Sequence, residues 1–213
     1  MKKMDKFIES LLDEFEEAQN SHIPERDYIN SYANKLPKKL LDFWHEFGFC
    51  SFLDGMLWIV DPNSFKDTLD KWIEQTPSIL KTESYHVIAK SGFGDLYIYS
   101  ENSGYCFKLN AMNGWLIKQE INTIDYFFSS LCPYTLDLED IETDEEMFEA
   151  AVDKFGKLDE DEIFGFVPAL VAGGKMVFEN LQKVNMQMHL DLILQFKEPK
   201  VITLDDLTNM AFS

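Results

Sequence analysis

The chain of 213 residues (24.8 kDa) is 46% hydrophobic and 14% aromatic, enough to bury a sizeable core, so disorder of the whole is excluded. Asp and Glu number 38 and Lys and Arg 19, for a formal net charge of −19 and a pI near 4.4. That balance argues against direct binding to a nucleic-acid backbone or an anionic membrane, since both rely on Lys and Arg, and leaves a basic partner or plain solubility as its meaning.

In chain order, Met4, Phe7, Ile8, Leu11, Leu12, Phe15 and Ala18 recur at helical steps and predict a helix to about Gln19. Asn20 to Pro24 break it. A short helix from Pro24 carries Tyr28, Ile29 and Tyr32. A third, over 38–47, starts at Pro37 and stops at Gly48, with Leu40, Leu41, Trp44 and Phe47 inward. After the turn pair Asp54-Gly55, residues 56–60 read as a strand. Ser64 with Asp67 makes a capping box for a helix through Leu69 and Trp72, closed by Pro77. Four strands follow at 85–90, 96–100, 105–109 and 115–118. The turns between them are rich in Gly, Asn and Ser, the pattern of an antiparallel meander. Ile124, Phe127, Phe128 and Leu131 are spaced for a helix.

Composition turns acidic beyond Pro133. Thr143 and Glu146 form a capping box for a helix with Met147, Phe148, Ala151, Val152 and Phe155, ended by Gly156. Then come a strand at 163–167, a loop at 168–174 and a long helix at 179–195 with Leu181, Val184, Met188 and Leu192 inward. A strand at 201–204 and a helical turn at 205–211 close the chain. The sum is α+β: N-terminal helices, a central antiparallel sheet and a mostly helical C-terminal lobe.

Cys50, Cys106 and Cys132 are far apart and no CxxC exists. Neither a zinc knuckle nor a disulfide framework is indicated, and reduced, buried thiols are expected. Asp5 and Glu9 interrupt what would be the apolar core of a secretory signal. The uncharged stretch 163–174 falls short of the roughly 20 residues of a membrane span. A soluble, cytoplasmic protein is expected.

Catalytic patterns are missing: there is no GxSxG elbow, Walker loop or HExxH. Gly92-Phe93-Gly94 lacks a third glycine and precedes a strand, so it is no dinucleotide loop. Asp159-Glu160-Asp161 opens like a calcium loop, but Ile163 and Phe164 fill its fifth and sixth positions. His22, His45, His86 and His189 show no ligand spacing, and His189 and Cys106 read as structural residues. No catalytic residue, metal or cofactor is expected. Among 38 acids, chance alone makes many carboxylate pairs, so a pair carries no information.

Residues 137–162 hold 13 acids and two lysines. This run is either a solvated helix face or an acidic docking surface. The candidate partner-binding residues are Glu142, Asp144, Glu145, Glu146, Asp159, Glu160, Asp161 and Glu162. Trp115, after the turn at 110–114, joins them as a candidate exposed anchor, whereas Trp44, Trp58 and Trp72 read as core.

Two segments carry a resemblance. LPKKLLDFWHEFG at 36–48 and DGMLWIVDP at 54–62, followed by Phe93-Gly94-Asp95 and GYCF at 104–107, resemble the GAD-like domain. EIFGFVPALVAGG at 162–174, with ENLQKV at 179–184 and His189-Leu190, resembles the C-terminal domain that accompanies it in immunity proteins against type VI secretion DNase toxins. The resemblance implies a GAD-like domain over 1–122 and an immunity-type domain over 123–213, independent or packed as one unit. It implies a cytoplasmic, non-enzymatic inhibitor that occludes the active or DNA-binding surface of a cognate basic toxin. Gly55, Pro62, Pro168 and Trp44 are then fold determinants. Two other classes stay open: a regulatory or scaffolding domain with a non-toxin partner, and a hydrolase with an unrecognised carboxylate site.

Overall fold

The computed structural model describes residues 6–15, 17–76, 78–130 and 141–211. Pro77, the expected stop of a helix, Leu131, expected on a helix face, and Cys132, an expected buried thiol, lie outside them. Helix α1 is Lys6–Phe15, and the expected continuation to Gln19 does not form: Gln19–His22 is instead strand β1. Nothing in its polar sequence announces a strand. β1 is an edge, held by its ladder to β2, Phe49–Phe52, and by side-chain hydrogen bonds from Asn20 to Ser51 and from Asp54 N to Gln19 Oε1. All four residues of β2 are buried, so β2 lacks the alternation by which a strand is recognised. Between them lie α2, Arg26–Asn30, and α3, Lys38–Glu46, which starts directly after Pro37.

Strand β3 is Leu57–Ile59. The next helix, α4, is Lys66–Glu74, entered through the 3-10 turn Pro62–Phe65. The side chain that caps this entry is Asp61, not Ser64: its carboxylate accepts from Asn63 N at 2.9 Å. The predicted meander is present as β4 (Tyr85–Ser91), β5 (Leu96–Ser100), β6 (Gly104–Asn110) and β7 (Trp115–Lys118). Helix α5, Ile124–Ser130, follows.

The C-terminal lobe corrects the expectation of a mostly helical unit. Helix α6, Ile141–Phe155, already contains Thr143, which is therefore no N-cap. Strand β8, Glu162–Phe166, pairs with β9, Leu181–Asn185, in a two-stranded sheet. The expected long helix is thus a strand followed by α7, Met186–Phe196, with the Asn185 side chain accepting from Met188 N at 3.1 Å as its cap. Strand β10, Lys200–Ile202, then joins the main sheet and α8, Leu204–Ala211, ends the described chain. The main sheet runs β1-β2-β3-β4-β5-β6-β7-β10, antiparallel except for the parallel pair β7/β10.

Alternation along the meander sorts side chains to two faces. Tyr97 and Tyr105 join Phe43, Trp44 and Phe127 on the face covered by α1, α3 and α5. Leu96 and Ile98 join Phe65, Leu69 and Trp72 of α4 on the other. That second cluster also contains Ile163, Met186, Leu190 and Ile193 from the C-terminal lobe. A third joins Met56 and Phe93 to Phe148, Phe164, Phe166 and Leu181. The apolar material of the C-terminal lobe is therefore buried largely against the N-terminal sheet.

Phe164 is 1% exposed and packs edge-on to Phe148 at 5.2 Å between ring centroids. Phe164→Ala is expected to cost about 3–5 kcal/mol. Because clusters span both lobes, urea unfolding should show one transition for wild type and variant alike, read by tryptophan fluorescence and circular dichroism together. Two separated transitions would show that the lobes fold independently.

Candidate functional site

The C-terminal lobe meets the sheet at the turn 157–162, and backbone dictates how close it comes. Asp54 and Gly55 both take positive φ, 56° and 98°. A Cβ on Gly55 would stand 2.8 Å from Leu158 Cβ and 3.1 Å from Trp58 Nε1, so only glycine admits the contact. Leu158 N donates to Asp54 O at 3.2 Å and Lys157 pairs with the Asp54 carboxylate at 2.5 Å. On the far side Phe164 N donates to Gly92 O at 2.8 Å, and Met186 N to Asp161 O at 2.8 Å. The turn is thus clipped at both ends.

Beneath it lies Lys90, at the end of β4, with 0% exposure. Its Nζ donates to the Glu162 carbonyl at 2.8 Å and stands 5.2 Å from the centre of the Trp58 ring. Burial pushes its pKa down to about 7, while the carboxylates of Glu160, Asp161, Glu162 and Asp159 pull the other way. The acidity of the turn is in part the counter-field of one buried lysine.

Beside this junction opens a cleft of about 370 Å³. Tyr28, Phe49 and Trp58 give it aromatic walls, and Glu25, Asp61 and Glu160 bring carboxylates; His22 and Ser64 complete the rim. Among the described residues no Lys or Arg lines it. The Tyr28 hydroxyl donates to Asp61 Oδ1 and accepts from Asn63 Nδ2 at 2.9 Å. Burial, then the hydrogen bond to Asp61, raises the Tyr28 pKa, so Tyr28 stays protonated and donating. Burial of its carboxyl end raises that of Glu160, although the residue as a whole is exposed. Gln187, at the start of α7, donates to Ser64 O at 2.7 Å. From there Met188, Leu192 and Phe196 run along the helix at four-residue steps, 74%, 38% and 58% exposed.

The residues singled out from the sequence fall into different settings. The side chains of Glu142, Asp144 and Glu145 lie outside the described residues; Glu146 is exposed on α6. Asp159, Glu160 and Asp161 are exposed in the clipped turn. Glu162 is half-buried: it accepts from Asp159 N at 3.0 Å and pairs with Lys183 at 3.1 Å. Trp115 is not a bare tip. It opens β7 between Asn110 and Lys200, half-buried, with the Lys197 ammonium 5.5 Å from its ring centre. The structure therefore gathers 159–162 with Lys90 and leaves Trp115 three strands away from β4. Lys90, Tyr28 and Asp61 were not singled out. A lysine closing an apolar strand and an Asp-Pro pair were their only local signals.

Cys50 and Cys106 are buried, unpaired thiols whose pKa burial raises to about 12. His189 lies against Gly165, and burial lowers its pKa. Among the described residues no group of three or more His, Cys, Asp or Glu could hold a metal ion, and no helix is long and apolar enough to cross a membrane.

Comparison with known proteins places both halves of the chain. Residues 6–113 match the model of the GAD-like domain, and residues 122–197 match that described as T6SS immunity protein Tdi1, C-terminal. No curated protein matches. The crystal structure of Atu4351 from Agrobacterium tumefaciens aligns over 92% of either chain with a TM-score of 0.74 at 19% identity, a likeness of fold. In these terms the cleft lies at the meeting of the two matched segments, the second contributing Glu160 among the described residues.

The low pKa of Lys90 sets a pH dependence. Between about 7 and the unfolded value of 10.5, the unfolded chain binds more protons at this site than the native one. Stability from this group therefore rises with pH across that window, by at most about 1.4 kcal/mol per unit. Above about pH 8.5 the buried thiols act oppositely, since they ionise only when unfolded. Lys90→Met keeps the length and removes the titration. Urea melts from pH 7 to 9 should show wild-type stability rising relative to Lys90→Met; parallel curves would mean that Lys90 is charged throughout.

Proposed function

The chain belongs to the GAD-like domain family, and from that premise we propose that it is an immunity protein. In this reading its partner is a toxin delivered by type VI secretion, a nuclease with a basic DNA-binding face. The protein binds that toxin in the cytoplasm, covers its active or DNA-binding surface and performs no chemistry of its own. The match of residues 122–197 to an immunity C-terminal domain carries the reading.

The physical features support it. A net charge of −19 attracts a basic protein and raises encounter rates by about 10–10³-fold over neutral partners. Asp159, Glu160 and Asp161 present carboxylates on a turn held from both ends, so their orientation requires little ordering on binding. Glu146, exposed on α6, adds to the acidic surface. Met188, Leu192 and Phe196 supply apolar area for lasting contact, more exposed than Trp115. Glu162 serves the turn itself.

The direct test is to look for a secreted nuclease encoded beside this gene and to co-express the two. Survival of the host and co-purification of the pair are the expected results; death of the host with no complex would refute the reading. The electrostatic part has its own readout. Glu146→Gln, Asp159→Asn and Asp161→Asn together should slow association with that nuclease roughly tenfold at low salt, by stopped flow. The difference should shrink at physiological salt, where the Debye length is about 8 Å. An unchanged low-salt rate would make this run a solvated face only.

A further inference from the structure

We propose that the cleft between Tyr28 and Glu160 is a receptor for a guanidinium group, an arginine side chain presented by a basic protein partner. The proposal rests on the reading of the protein as a binder of basic proteins, and it assigns the atoms that make one contact.

Charge and shape select the ligand. Three carboxylate residues, Glu25, Asp61 and Glu160, line the cleft, and among the described residues no Lys or Arg does. Among the described residues neither Glu25 nor Glu160 has a side-chain hydrogen bond or salt bridge. Asp61 is held by one oxygen: Oδ1 accepts from Tyr28 OH and Asn63 N, whereas Oδ2 meets no donor among the described residues. The carboxylate is thus fixed in place by one oxygen and keeps the other, Oδ2, to accept from a ligand. Lys90, the buried cation nearby, is engaged with the Glu162 carbonyl behind Trp58 and does not fill the cleft. An anion would face these three carboxylates, with His22 on the rim as the one titratable cation among the described lining residues.

Aromatic walls decide between cations. A planar guanidinium stacks on rings and forks hydrogen bonds to carboxylates on either side; a compact, strongly hydrated ammonium does neither as well. Tyr28, half-buried, is the ring most open for stacking, with Phe49 and Trp58, 8% and 5% exposed, in the wall beside it, and Asp61 and Glu160, from different lobes, supply acceptors. A metal ion is a poor fit, because no group of three ligating side chains converges among the described residues. Asp159 and Asp161, exposed next to Glu160 in the chain, do not line the cleft itself. They suit an arginine set in a basic surface.

The probe is an acetylated hexapeptide Gly-Ser-Arg-Arg-Gly-Ser, with lysine and citrulline versions, titrated into the full chain by NMR with the Trp58 indole cross-peak as reporter. The arginine peptide should shift that peak, the lysine peptide should bind several-fold more weakly, and the citrulline peptide should not bind. Glu160→Gln and Asp61→Asn should each weaken binding roughly tenfold or more. Glu120→Gln, an exposed acid that does not line the cleft, controls for net charge and should leave affinity unchanged. Glu160 is exposed and without a hydrogen bond, so its variant tests the idea even if Asp61→Asn unfolds. Equal binding of the citrulline peptide, or equal effects of Glu160→Gln and Glu120→Gln, would overturn the proposal. Free N-acetylarginine amide binding as tightly as the peptide would overturn the assignment to a protein partner. Because no toxin enters this assay, its failure would leave the immunity reading standing on co-expression alone.

Discussion

The hydrogen bond from Lys90 to the Glu162 carbonyl is the constraint around which the two lobes are arranged. A fully buried amine is costly unless it is neutral or well met. Here one carbonyl, the Trp58 face and the field of the 159–162 acids meet it together. Those acids are therefore not interchangeable decoration. They lie where they do partly because a lysine lies beneath them, and the backbone clips at Asp54 and Gly92 hold the turn at that distance.

Once the turn is fixed, the cleft follows. Asp61, Tyr28 and Phe49 belong to the N-terminal sheet and its helices, whereas Glu160 arrives from the C-terminal lobe. Clefts where two lobes meet are common binding places because neither lobe's own packing has to fill them. Glycine at 55 and 92 is what lets the lobes approach. A Cβ at Gly92 would come within 2.3 Å of the Phe148 ring. The same approach buries Phe148, Phe164 and Phe166 against Met56 and Phe93, so the apolar contact that holds the lobes also sets the width of the cleft.

Much of the central sheet was legible. The strands at 96–100 and 115–118 stand at their expected bounds, because apolar alternation and turn residues agree there. The failures have physical causes. Leu181, Val184, Met188 and Leu192 keep helical spacing across what is really a strand and a helix, since a short strand and a helix can carry the same apolar positions. What divides them is pairing with β8, a partner far off in sequence, and the Asn185 cap. β1 has no apolar signal because an edge strand needs only a backbone ladder. Ser64 suits a cap by residue type, but the chain enters the helix through the 3-10 turn Pro62–Phe65, which puts Asp61 in the capping position instead.

The sequence by itself determined composition, charge, the meander and the acidic run, because these follow from local pattern and counting. It also carried the GAD-like and immunity motifs, since glycines, prolines and tryptophans mark turns and core wherever the rest varies. Tertiary structure alone decided which acids point outward and which are committed. Glu162 is spent on Lys183 and its own turn, Glu160 is offered to a cleft, and Asp61 is steadied by a tyrosine 33 positions earlier in the chain. No local pattern distinguishes these carboxylates. Their roles depend on the burial of Lys90 and on a ring, a backbone carbonyl and a hydroxyl brought together from distant parts of the chain.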